Sequence, residues 1–148
     1  MRRLIATFGI ALIASGLLVG VASASNHVTT LSTTLTGAEE PGGGDKNGKG
    51  FVTLRIFTNG TICYAGKVQA IGRNLTGAHI HVGAAGVNGG VVVDLDPFNA
   101  QLTGNKADHC VVTTEEIAAA IVATPSNYYV NVHTTAYPGG AIRGQLGD

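Results

Sequence analysis

Several short segments alternate apolar and polar residues with a period of two, the repeat of a strand that buries one face. In Phe51 to Phe57, Val52, Leu54 and Ile56 face one way while Thr53 and Arg55 face the other. Asn59-Gly60 then reads as a hairpin turn into Thr61 to Ala70, where Ile62, Tyr64 and Val68 belong inside. The same rhythm places strands at Ala78 to Val82, Val91 to Leu95, Tyr128 to Thr134 and Ala141 to Leu146, with an opening strand within Val28 to Thr36. Val91 to Val93 is a continuous apolar run, which predicts cover on both faces of that strand.

One segment breaks the rhythm. Thr113 followed by Glu116 has the form of a capping box, and Ile117-Ala118-Ala119-Ala120 favours helix, so a short helix is expected near 113–123, stopped before Pro125. Gly42 to Gly50 reads as a mobile loop. About seven short strands separated by Gly-, Asn- and Pro-rich punctuation make an all-β fold, an antiparallel β-sandwich of Greek-key or immunoglobulin-like type with one short helix.

The N-terminus belongs to a different pattern. Arg2 and Arg3 precede the apolar run Leu4 to Val21, and Ala22-Ser23-Ala24 follows it, which together make a secretory signal peptide over residues 1–24. A retained anchor is the alternative, since roughly 20 apolar residues span a bilayer. Gly9, Ser15, Gly16 and Gly20 dilute this run, and cleavage after Ala24 leaves no membrane span. Removing 24 of the 148 residues leaves 124, enough for one domain with a real core: a lead-in strand at 25–34 and a body at 35–148. Export to a secreted or cell-envelope location makes a disulfide the favoured state of Cys63 and Cys110, with two buried thiols as the alternative.

Loss of Arg2 and Arg3 leaves seven basic residues against nine acidic ones, with no basic stripe for a phosphate backbone, so nucleic acid is not an expected partner. Gly43, Gly48 and Lys49 imitate a phosphate-binding loop, yet Gly50 stands where a hydroxyl is needed and a strand follows instead of a helix. Asp45, Asn47 and Gly50 imitate a calcium loop, but Lys49 occupies a ligand position and Ile56 replaces the closing carboxylate. Asn59-Gly60-Thr61 and Asn74-Leu75-Thr76 are glycosylation sequons, relevant only in a host that glycosylates exported proteins. No nucleophile elbow or unmistakable carboxylate pair is present, so no catalytic residue is assigned.

The histidines carry more information. His79 and His81 are two apart in a strand and leave the same face, while Ala78, Ile80 and Val82 leave the other. Tyr129, Asn131 and His133 likewise oppose Val130 and Val132, so a third imidazole joins the first two if these strands are close. Three convergent imidazoles suit copper or zinc, and nitrogens within about 4 Å of one another would match such an ion. The other reading is a structural polar cluster in which each ring satisfies a carbonyl or a carboxylate. Asn131, Arg143 and Gln145 share the parity needed to complete such a cluster, with Asp94 and Glu40 as acidic partners. His27 and His109 have no spacing that links them to it.

Three stretches together resemble the CHRD (chordin-type) domain: Leu35-Thr36-Gly37-Ala38-Glu39-Glu40; Gly77-Ala78-His79-Ile80-His81-Val82-Gly83 with Val87-Asn88-Gly89 to Leu95; and Tyr129-Val130-Asn131-Val132-His133-Thr134 through Tyr137 to Leu146. The likeness runs from about residue 35 to 147 and includes the helix before the Tyr-Val-Asn-Val-His-Thr strand. It departs at the start, where such domains continue the Glu-Glu motif with Val-Pro-Pro and this chain has Pro41 and glycines. The resemblance implies an exported, non-enzymatic extracellular binding or structural module with an extracellular or envelope protein, or a metal ion, as partner and no required cofactor. It does not carry over growth-factor antagonism, because this chain has one copy and no cysteine-rich modules. A more distant likeness, to copper-zinc superoxide dismutase, rests on the His-x-His strand, the later strand histidine and the Gly-Gly-x-x-Arg-Gly segment. Three copper ligands at most are visible and that enzyme's His-rich zinc loop is missing, so dismutase-like activity is the far end of the metal reading.

Overall fold

A computed structural model describes residues 26–71, 74–95 and 106–147; the signal peptide expected at 1–24 lies outside these residues. The described residues form eight strands: β1 (Val28–Thr36), β2 (Lys49–Phe57), β3 (Thr61–Gln69), β4 (Leu75–Val82), β5 (Val91–Asp94), β6 (Lys106–Val112), β7 (Tyr128–Thr134) and β8 (Ile142–Gln145). Among the described residues one α-helix, α1, spans Glu115–Ala123. The hydrogen-bonded order is β5-β4-β7-β8-β1-β2-β3-β6, and each pairing is antiparallel.

The order divides into two halves, β5-β4-β7-β8 and β1-β2-β3-β6, whose junction ladder is the single pair Thr36/Arg143. Leu35, Val52, Leu54, Ile62 and Val68 from one half meet Ala78, Ile80, Val130, Val132 and Ile142 from the other in one buried core. That is the sandwich arrangement, with α1 adding Ala118 and Ile121. Alternation is strict in β2, where Gly50, Val52, Leu54 and Ile56 are buried and their neighbours are not. Among the described residues no helix is long and apolar enough to cross a membrane.

The expected strands are found, with small changes at their ends, and β6 is an addition. It pairs with β3 along its length, Cys63 opposite Cys110, and the two cysteines form a disulfide. Three local expectations need correction. Val91 is not covered on both faces: β5 is an edge strand, and Val91 is 52% exposed. The helix cap is Thr114, whose hydroxyl accepts from the Ile117 amide at 3.3 Å. Thr113 is not available for that role because its amide donates to the Gly60 carbonyl and keeps the chain against the β2–β3 turn.

The glycine-rich stretch 42–50 is tied down instead of loose. Its last two residues begin β2, the Gly44 amide donates to Gly37 and the Asp45 amide to Ala141. Gly48 packs so closely on Ile71 and Ile142 that a side chain has no room.

The disulfide closes a separation of 47 residues and fastens an edge strand to its neighbour. Replacing both cysteines by serine is expected to cost about 4 kcal/mol, the chain-entropy value for a loop of that length. Equilibrium urea unfolding of the oxidised protein and the double variant measures the difference.

Candidate metal centre and polar face

β7 lies between β4 and β8, so the outer faces of these three strands form one continuous surface. Strand parity projects His79 and His81 from β4, Tyr129, Asn131 and His133 from β7, and Arg143 and Gln145 from β8 onto it. The register sets the neighbours: His81 opposes Tyr129, His79 opposes Asn131, Tyr129 opposes Gln145 and Asn131 opposes Arg143. The three histidines, Asn131, Arg143 and Gln145 therefore share one face, as their parity in the sequence implies. That face is not open to solvent, since Arg143 is 1% exposed, and Asn131, Gln145 and His81 are also buried.

The cover is the loop 83–90, and the buried side chains hold it by its carbonyls. Arg143 donates to Val87 at 2.9 Å, to Ala84 at 2.8 Å and to the Gln145 side chain at 3.2 Å. The Gln145 amide donates to Gly83, Ser126 and Tyr128. His81 Nδ1 donates to Gly89 at 2.9 Å, and the Gly89 amide donates to the Tyr129 hydroxyl. The Tyr129 ring takes the Arg143 guanidinium, 3.3 Å from its centroid, and the stacked His81 imidazole, 4.8 Å away. Gly89 is obligatory here, because a β-carbon on it would overlap the Val82 carbonyl.

A second polar pair sits beside this one. Asn131 donates to Glu40, which is buried at the end of the turn after β1. Burial pushes the Glu40 carboxyl above its usual value, against the opposing pull of Arg143 and Asn131. Gly140 leaves the space this pair fills. Glu40 thus serves Asn131 and not the imidazoles.

The three imidazoles do converge. His79 and His133 meet edge to face at 4.9 Å between centroids, and His79 and His81 at 5.6 Å. One ligand nitrogen from each lies within 4.8 Å of the other two, an envelope wider than the roughly 4 Å that a bound ion imposes. His133 Nδ1 donates to the Pro138 carbonyl at 3.0 Å, and His79 Nε2 lies 3.8 Å from Asp94 across the β4–β5 ladder. Two of the three rings thus satisfy a carbonyl, as the structural reading requires. Yet His79 Nδ1, His81 Nε2 and His133 Nε2 are buried and have no hydrogen-bond partner. Burial, with smaller contributions from the neighbouring imidazoles and, for His81, from Arg143, holds His81 and His133 below the usual imidazole value against the opposing pull of their carbonyl hydrogen bonds.

Sequence reasoning placed Tyr129 on this face without giving it a role, and missed the loop carbonyls as partners of the cluster. Tyr129 was legible from its parity with Asn131 and His133, and the loop from the spacing of Gly83, Gly86 and Gly89. His109 stands apart near Tyr64, and His27 contacts Val28.

The titrations of this face oppose one another. His81 and His133 take up protons less readily in the folded chain than in the unfolded chain, which does so as pH falls through about 6.5, so their contribution to stability is lost on acidification. Glu40 holds its proton above the unfolded value of 4.5, so its contribution is lost as pH rises through the higher folded value. Glu40→Gln keeps an acceptor for Asn131 and removes the second effect. Its unfolding free energy is expected to rise continuously from pH 5 to pH 7.5; a flat profile means the imidazoles are not shifted by burial.

Comparison with known proteins gives one result. The CHRD domain family matches residues 31–146, from within β1 to the residue after β8. No curated protein and no solved structure matches the chain. The matched span contains α1, the disulfide and the whole polar face, and the chain therefore belongs to the CHRD domain family.

Proposed function

We propose that this CHRD-domain chain works outside the cytoplasm as a non-enzymatic binding module that presents the loop 83–90 to an extracellular or envelope protein. The observation that carries the reading is how the loop is held. Carbonyls of Gly83, Ala84, Val87 and Gly89 each accept from a buried side chain of the sheet. Such a loop loses little conformational entropy when a partner docks, which is what preorganisation contributes to affinity. Val87 stands on it 53% exposed, an apolar contact residue on a fixed support. The disulfide agrees with an oxidising compartment, and the leader pattern of residues 1–24 with export.

Two measurements test this. Expressed with its own leader in the producing cells, the chain is expected in the exported fraction, beginning at Ser25 and without titratable thiols. A chain that keeps residues 1–24 in the cytoplasm with both thiols free overturns export. Labelled mature protein is expected to bind the outer surface of those cells saturably, with Val87→Asp at least about tenfold weaker at unchanged stability. Arg143→Met is expected to lose about 3 kcal/mol and to raise amide exchange across 83–90, since it leaves loop carbonyls without donors. Undiminished binding by Val87→Asp removes the loop from the interface.

A further inference from the structure

We infer that His79, His81 and His133 form a binding site for one divalent first-row cation of the copper and zinc class, independent of the display role of the loop. The hydrogen bonds fix the chemistry of two rings. A carbonyl oxygen only accepts, so Nδ1 of His81 facing Gly89 and Nδ1 of His133 facing Pro138 must carry the hydrogens. In the neutral rings Nε2 is then a lone pair, and both Nε2 atoms are buried without a partner. His79 points Nε2 toward Asp94 and leaves Nδ1 buried and unpartnered on the other side. A hydrogen on Nε2, facing the carboxylate, makes Nδ1 the third lone pair.

The three rings each bring one nitrogen within 4.8 Å of the other two, and the three lone pairs buried among them without a partner need a donor or a cation. A water molecule offers two hydrogens and leaves one nitrogen unsatisfied. A hydrogen added to one ring can donate to one of the other two nitrogens and leaves the third without a partner. One cation satisfies all three. Neutral imidazole nitrogens suit zinc or copper, whereas calcium and magnesium take oxygen ligands. The carbonyls of Gly89 and Pro138 and the Asp94 carboxylate would be the outer groups that hold the ligating rings in orientation.

Metal–nitrogen bonds of about 2.0–2.1 Å in tetrahedral geometry set nitrogens about 3.4 Å apart, so loading draws the rings inward by roughly 1 Å. His79 is the ring free to make that movement. Its side chain is 24% exposed and its polar contact to Asp94 is 3.8 Å long, while the other two rings are anchored at 2.9 and 3.0 Å.

The test uses the exported chain purified without an affinity tag, stripped with chelator and titrated separately with zinc and copper salts by calorimetry. One equivalent is expected to bind with a Kd of about 1 μM or tighter. His79→Ala and His133→Ala are each expected to weaken binding at least about a hundredfold, beyond the loss typical of an outer-shell group. His109→Ala, an exposed histidine outside the cluster, serves as the unchanged control. Long-range proton–nitrogen spectra of the wild type read the same site without mutation, and zinc is expected to move His79 Nδ1 and the Nε2 signals of His81 and His133. Absence of uptake at about 100 μM metal, binding that survives the double His79→Ala/His133→Ala change, or spectra unmoved by zinc each overturns the site.

Discussion

A guanidinium that is 1% exposed has to find its acceptors inside the protein, and much of this structure follows from that requirement at Arg143. Among the described residues no carboxylate is hydrogen-bonded to it; the Val87 and Ala84 carbonyls and the Gln145 side chain take that place, with Tyr129 under its plane. Backbone carbonyls are acceptors only while the loop that carries them stays in one position. The buried charge therefore dictates the path of residues 83–90, and the path in turn dictates Gly89, where the chain passes too near Val82 for any side chain. Arg143 also sits at the junction of the two halves, since its backbone pairs with Thr36 on one side and Asn131 on the other.

Strands β7 and β8 are consequently buried on both faces by different means. Inward, Val130, Val132 and Ile142 join the apolar core, whose stabilisation scales with area removed from water. Outward, Tyr129, Asn131, Arg143 and Gln145 are buried as well, but under a loop and through directed hydrogen bonds. The apolar layer tolerates repacking at moderate cost. The polar layer does not, because removing one partner strands the other in a place water does not reach.

Local periodicity made most of the first layer legible. The alternations at Val52, Leu54, Ile56 and at Val130, Val132 gave strands with the inward residues correctly chosen, and the same parity put His79, His81, His133, Asn131, Arg143 and Gln145 on one surface. What stayed hidden was whatever depends on contacts distant in sequence. β6 carries Lys106, Asp108 and His109 among its seven residues and shows no two-residue repeat, so its place is set by pairing to β3 and by Cys110 opposite Cys63. Parity names the face a side chain leaves by, but not whether a loop comes back over that face. The burial of Arg143, the ties that fix the glycine-rich stretch and the exposure of Val91 at a sheet edge all belong to that second kind of information.

His81 is where the two parts of the polar face meet. Its Nδ1 donates to Gly89 and so belongs to the set of bonds that hold the loop, while its Nε2 is buried without a partner in a ring that converges with those of His79 and His133. His133 has the same division, with Pro138 on one side and the cluster on the other. The carbonyl contacts do double service: they bind loops to the sheet, and they force the tautomer that leaves the inner nitrogens as lone pairs. A purely structural histidine needs only the first of these, and a second buried nitrogen with nothing to bond would be a cost without a return. That three converging rings each keep a buried nitrogen without a partner, instead of being scattered or solvated, is the feature that a structural account of this face leaves unexplained.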